Sequence, residues 1–269
     1  MAGLILCQEV NVRSPYYVPE LGVHLYTGEE LSYFIFNHVL LIPDDFLEER
    51  LFVFLGELGY ARLEERLRGY RGGDIYEVLP VILQEIRYYS SPELFRFDKT
   101  LETLRAMPEA ERRKAKGDYL FGEGLYHYAL REYEDILAMD AVKLGDANFT
   151  GQVWHNMGSV YASMEAVREA MRCYRRAYSL LHDEKILEEI YALCQLSAGV
   201  TLPEELKAEI SPEQEEKFRR RFSERERQAV FEGKALEAAA LRDRPPEERA
   251  DAYARLLENW KNEYRRNQV

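Results

Sequence analysis

WHNMGSVYASMEAVREAMRCYRRAY, residues 154–178, is the stretch from which the fold is read. Within it Trp154, Met157, Gly158 and Tyr161 are followed by Ala170, Tyr174 and Ala177, at steps of three, one, three, nine, four and three residues. Steps of three and four keep side chains on one face of an α-helix, and the step of nine leaves room for a turn. Two short helices folded on each other are predicted, with Gly158 and Ala170 small enough for the backbones to approach. Bulky Tyr174 and, earlier in the chain, Tyr133 then fill the gap between neighbouring hairpins.

An earlier copy aligns on Gly117, Leu120, Gly124, Tyr126, Ala129, Tyr133 and Ile136, and Gly117 to Ala129 is 12 residues, as is Gly158 to Ala170. On these residues the chain resembles the tetratricopeptide repeat (TPR) family, as a helical-repeat scaffold of bacterial type, over roughly residues 110–198. The two glycines lie 41 residues apart, against a family period of about 34. The extra residues are expected to extend the second helix towards Leu144 and to lengthen the Gly145-Asp146-Ala147-Asn148 loop. A third copy places Ala192 at the small position and Ile186, Leu187, Ile190, Leu193 and Leu196 on one face. Its partner helix is missing, because Gly199 and Pro203 intervene and Leu202 to Ile210 is short.

The resemblance implies peptide binding on the concave face built by the first helix of each repeat. That face would expose Lys114, Asp118 and Phe121, then Gln152, His155, Asn156, Ser159 and Ser163. Chaperone-binding members grip a C-terminal carboxylate with lysine, asparagine and further basic side chains. Lys114 and Asn156 fit two of those places, but Asp118 replaces an asparagine, and Ile186 and Ile190 stand where the basic pair would be. A carboxylate clamp is therefore not expected.

Outside the repeats, Leu4–Cys7 and Val23–Tyr26 are the strand candidates of a short hairpin, separated by Ser14-Pro15 and Pro19-Glu20, whose prolines break regular structure. Thr27-Gly28-Glu29-Glu30 carries a capping-box signature. Asp44 is expected to cap a helix bearing Phe46, Leu47, Leu51, Phe54, Leu55 and Leu58, and Leu63 with Leu67 suggests a short third. Asp74 starts a segment with Ile75, Val78, Leu79 and Ile82 on one face, kinked at Pro80. Ser91-Pro92-Glu93 restarts a helix that Met107-Pro108 ends. From Ser211-Pro212-Glu213 a long helix is predicted to about Leu241, with Phe218, Phe222, Ala229 and Leu236 as a thin apolar stripe. After Pro245-Pro246 a second helix carries Ala250, Tyr253, Leu257, Trp260 and Tyr264. This C-terminal hairpin either caps the repeat stack or projects to self-associate.

The predicted architecture is all-α: an N-terminal mostly helical domain (1–108) with a short β-hairpin, tetratricopeptide-like repeats (109–200) and a C-terminal helical hairpin (201–269). The 269 residues carry 36 basic and 48 acidic side chains, a net charge of -12, split as -7, -4 and -1 over residues 1–108, 109–199 and 200–269. No third is basic, which argues against general nucleic-acid binding and against a transcription regulator with an N-terminal DNA-binding helix pair. The basic cluster from Lys217 to Arg227 is interleaved with Glu224 and Glu226 and reads as a salt-bridged helix. Cys7, Cys173 and Cys194 form neither a disulfide framework nor a CxxC pair and suggest a reducing compartment. Leu4-Ile5-Leu6-Cys7 lacks a basic flank and is too short for a signal, and no apolar run approaches the roughly 20 residues of a spanning helix. A cytoplasmic, non-membrane protein is expected.

His24, His38, His127, His155 and His182 show no metal-ligand spacing, and neither a Walker loop nor GxGxxG is present. Ser159 and Ser163 lie near His155 without a nucleophile elbow, and Asp44-Asp45 and Glu64-Glu65 diverge around their helices. No catalytic residue, cofactor or metal is predicted. The favoured function is a non-enzymatic scaffold holding a protein or peptide partner. The alternative is an enzyme with its site around Tyr26, His38 and Asp44 and the repeats as a docking arm.

Overall fold

The computed structural model describes residues 12–43, 45–70, 74–139, 146–197, 200–229, 237–238, 240–241 and 245–266. Thr27 opens the helical chain: its hydroxyl accepts the Glu30 N–H at 3.1 Å while the Glu30 carboxylate accepts the Thr27 N–H at 3.2 Å. Helix α1 follows (Gly28–Asn37), burying Leu31, Phe34 and Ile35. Ahead of it β1 (Tyr16–Val18) pairs antiparallel with β2 (Val23–Leu25), Tyr17 opposite His24. The partner of the expected Val23 strand is thus the segment between the two prolines, and Leu4–Cys7 lies outside the described residues. Pro15 precedes β1 and Pro19 follows it, so neither removes a hydrogen bond from the ladder.

Helix α2 (Glu49–Glu57) begins later than expected, with Phe46 already buried in the turn before it, and Asp44 lies outside the described residues. Helix α3 (Ala61–Arg68) buries Leu63 and Leu67. The segment after Asp74 is not one kinked helix. The Asp74 carboxylate accepts the Tyr76 N–H and caps a 3-10 turn at Ile75–Glu77, after which α4 (Leu79–Ile86) starts with Pro80 in its first turn. A proline there removes an N–H that has no intrahelical partner, so no kink arises. Helix α5 (Ser91–Ala106) is capped reciprocally by Ser90 and Glu93 and ends at Met107.

Helices α6 (Glu109–Gly122), α7 (Tyr126–Leu137), α8 (Ala147–Ser163) and α9 (Val167–Leu181) follow. α6 packs on α7, α7 on α8, and α8 along α9. A Cβ built on Gly117 would stand 2.6 Å from the Tyr133 ring, and one on Gly158 would stand 2.5 Å from the Tyr174 ring. These glycines lie on the contact lines, and Ala129 and Ala170 are fully buried. A third close approach, Gly151 against Leu181, falls in the same pair as Gly158. Two boundaries differ from expectation: α7 ends at Leu137, and the Asp146 carboxylate caps α8 so that Ala147 and Asn148 are helical. Residues 140–145 lie outside the described set.

The chain divides into two compact units, Met1–His182 and Asp183–Val269. In the first, one core runs from Tyr16 to Cys173, with side chains from both sides of Pro108. The second holds α10 (Glu184–Leu196), α11 (Glu204–Glu209), α12 (Pro212–Ala229) and α13 (Pro246–Arg266). On α10, Ile186, Leu187, Ile190 and Leu193 are buried, whereas Leu196, expected on the same face, is 72% exposed. α12 packs on α10 through Phe218, fully buried with its ring 5.9 Å from Tyr191. Cations of α12 reach acids of α10: Lys217 to Glu184 at 3.1 Å, and Arg221 and Arg225 to Glu188 at 2.7 and 3.2 Å. Arg219 pairs with Glu216, and Arg220 with Glu224 at 4.0 Å. α12 is described to Ala229, and Leu236 lies outside the described residues. α13 is tied back through Tyr253, whose hydroxyl donates to the Ala238 carbonyl, and Trp260, whose Nε1–H donates to Glu237. Among the described residues no helix is long and apolar enough to cross a membrane.

Candidate functional site

Lys114 and Asp118 stand one turn apart on α6, the spacing that lets an ammonium reach a carboxylate, and Lys114 Nζ lies 2.8 Å from Asp118 Oδ2. Two further donors meet the other oxygen. The Tyr133 hydroxyl of α7 donates to Asp118 Oδ1 at 2.6 Å, and the Asn156 amide of α8 donates to it at 2.6 Å. Three donors from three helices therefore converge on one carboxylate. Burial raises the Tyr133 pKa, and the Asp118 carboxylate raises it further, so the hydroxyl keeps the proton that it donates. Asp118 itself retains 42% of its side-chain exposure, which keeps its rim open to solvent.

A second station lies along α8. The His155 ring sits 5.6 Å from Tyr174, and its Nδ1 lies 3.4 Å from Asn156 Oδ1. The Ser159 hydroxyl donates to the His155 carbonyl at 3.1 Å and lies 3.2 Å from the Tyr174 hydroxyl. A hydroxyl committed to the carbonyl four residues back is a helix back-bond, not an activated nucleophile. Ser163 does the same with the Ser159 carbonyl at 3.0 Å. Gln152 donates to Asn148 at 2.7 Å, and Phe121 lies 6.0 Å from the Tyr126 ring.

Of the sequence-predicted residues, the structure thus gathers Lys114, Asp118 and Asn156 into one network and His155 with Ser159 into a second. Phe121, Gln152 and Ser163 contact near neighbours on the chain. Sequence reasoning missed the hydroxyls of Tyr133 and Tyr174, which it read as bulky fillers. A signal was present: the filler is tyrosine in both copies, where an apolar ring would fill the space equally well.

The residues of the enzyme alternative are placed otherwise. His38 Nδ1 makes a short hydrogen bond with the Tyr119 hydroxyl, and its ring stacks on Phe34. Burial lowers the His38 pKa and pushes Tyr119 up to about 12. Tyr26 is 46% exposed, with its ring 6.4 Å from His24. Cys173 and Cys194 are free thiols, and burial raises both pKa values, that of Cys173 to about 11, which leaves it protonated near neutrality. Among the described residues no group of three or more His, Cys, Asp or Glu side chains could hold a metal ion.

No protein-family model, curated protein or solved structure matches the chain.

Proposed function

We propose that this chain is a cytoplasmic, non-enzymatic scaffold of tetratricopeptide-like helix pairs that holds a protein or peptide segment on the polar face of α6 and α8. The observation that carries the reading is the convergence of Lys114, Tyr133 and Asn156 on Asp118. It orders polar groups from three helices beside a row of further polar side chains, Gln152, Ser159 and Ser163, as a surface that reads an extended chain requires.

The same convergence selects the segment. Lys114 and Asn156, the donors suited to a partner's terminal carboxylate, already serve the protein's own Asp118. A free C-terminus would have to displace an intramolecular carboxylate and meet the -12 charge of the chain. The partner is therefore an internal segment presenting a cation or an amide opposite the exposed rim of Asp118.

Photo-crosslinking from Gln152 and from Ser163 in the native cell, with a control crosslinker at exposed Arg220, tests the reading. A protein joined from the first two sites but not the control is expected. Equal products from all three would overturn it. In titration, a peptide that ends in acidic residues and carries no aromatic or long aliphatic side chain should show no measurable binding at moderate salt, and micromolar binding abolished by Lys114→Ala would contradict the selection.

A further inference from the structure

Trp154, Met157 and Tyr161 repeat at three and four residues along α8. At about 100° per residue they fall on the side of α8 opposite Gln152, Asn156, Ser159 and Ser163. There they form, with Leu137 of α7, the apolar floor of a cleft of about 650 Å³. Its size is within the range of side-chain and ligand pockets. Trp154, Tyr161 and Leu137 keep part of their surface open to it. Along one wall α9 places Arg172 and Arg176, one turn apart and both exposed, and the α7 side contributes one acid, Glu134, so the lining carries two cations against one anion. Among the described residues neither enters an ion pair.

The charge of this wall runs against that of the protein. α9 carries Arg168, Arg172, Arg175 and Arg176 against a single acid, Glu169, in a chain of net charge -12. An apolar floor beside guanidinium groups complements an apolar side chain flanked by carboxylates, because arginine holds carboxylates in a planar, paired geometry that water competes with poorly.

We propose that the cleft between α7 and α9 is a second docking site, which takes an acidic protein segment by one aromatic or long aliphatic anchor. The anchor packs on Trp154, and carboxylates about one turn away meet Arg172 and Arg176. This site is independent of the α6–α8 reading, since it uses the other side of α8.

The test is Trp154 fluorescence in the full chain carrying Trp260→Phe, titrated with an acetylated, amidated peptide Asp-Glu-Asp-Phe-Leu-Glu-Asp. Saturable binding that weakens as salt rises is expected. The variant Arg172→Glu/Arg176→Glu should weaken it about tenfold or more, Asn156→Ala should leave it unchanged, and the peptide with lysines for its acids should not bind. Should the double reversal fold poorly by circular dichroism, Arg176→Gln serves as the milder variant, with a smaller loss in the same direction. Absence of a response, equal binding of the acidic and basic peptides, or affinity insensitive to both arginine variants would overturn the proposal. So would loss of binding in Asn156→Ala with retention in the arginine variant, which would move the peptide to the α6–α8 face.

Discussion

Asp118 and Asn156 lie 38 residues apart in the sequence and join α6 to α8 through a hydrogen bond of 2.6 Å. Amide bonds to a carboxylate are stronger than neutral ones of the same geometry, although the exposure of Asp118 lets water compete. A double-mutant cycle of Asp118→Ala and Asn156→Ala in urea denaturation should give a coupling of about 1 kcal/mol. Asp118→Asn should cost less than Asp118→Ala, because an amide oxygen still accepts from Tyr133. Strict additivity of the two alanine variants would show that the bond contributes nothing in solution.

The glycine contacts give a sharper expectation. A Cβ at Gly158 would meet the Tyr174 ring at 2.5 Å, so Gly158→Leu forces a packed pair of helices apart, at a cost of about 1–3 kcal/mol or more. Ser163 is exposed on the same helix, and Ser163→Leu should change stability by less than about 0.5 kcal/mol. Thermal melts of the two variants compare them directly. Similar midpoints would contradict the packing around Gly158.

These helix pairs were legible because their contacts are local. Gly117 meets Tyr133 and Gly158 meets Tyr174, each across 16 residues, a span that helical periodicity and a short turn nearly determine. The Asp118–Asn156 bond spans a segment whose length departs from the pattern, so spacing placed both residues on a face without revealing that they touch. The hairpin partner Tyr16–Val18 was hidden for another reason. Prolines mark the ends of strands as readily as their absence, and three residues are too few for alternation to show. Pro80 hides its role for a related reason: the periodicity of Ile75, Val78, Leu79 and Ile82 is unbroken across the join between a 3-10 turn and a helix. Leu196 keeps the helical period of α10 but turns outward, because the buried part of that face stops at Leu193.

His38 should make stability depend on pH. Its pKa is lowered in the folded protein, chiefly by burial, with Glu123 opposing. The unfolded chain therefore binds the proton more readily, so the contribution of neutral His38 is complete above the unfolded value of about 6.5 and is lost as pH falls through the lower folded value. Protonated, Nδ1 could only donate to the Tyr119 hydroxyl, whose pKa of about 12 keeps its own proton in place. Melting midpoints between pH 7.5 and 5 should fall for the native chain and fall less for His38→Gln. Parallel curves would place the titration elsewhere.

The last expectation separates the two helices of the C-terminal region, for which capping and projection compete. Phe218 of α12 is fully buried against Tyr191 of α10, and three cations of α12 reach Glu184 and Glu188, so α12 has the contacts of a cap on α10. Leu257 of α13 is 51% exposed, which suits a helix whose apolar stripe is incompletely covered. Removing a buried phenylalanine side chain leaves a cavity and costs about 3–5 kcal/mol, so Phe218→Ala should unfold the second unit early or render the chain poorly soluble. Leu257→Ala should cost far less, because water already covers half of that side chain. If α13 also mediates self-association, Leu257→Glu should shift sedimentation from dimer to monomer without lowering the melting midpoint. A native chain that sediments as a monomer at every concentration would remove that role and leave the stripe of α13 serving only its ties to residues 237 and 238. Equal destabilisation by Phe218→Ala and Leu257→Ala would contradict the division of roles itself.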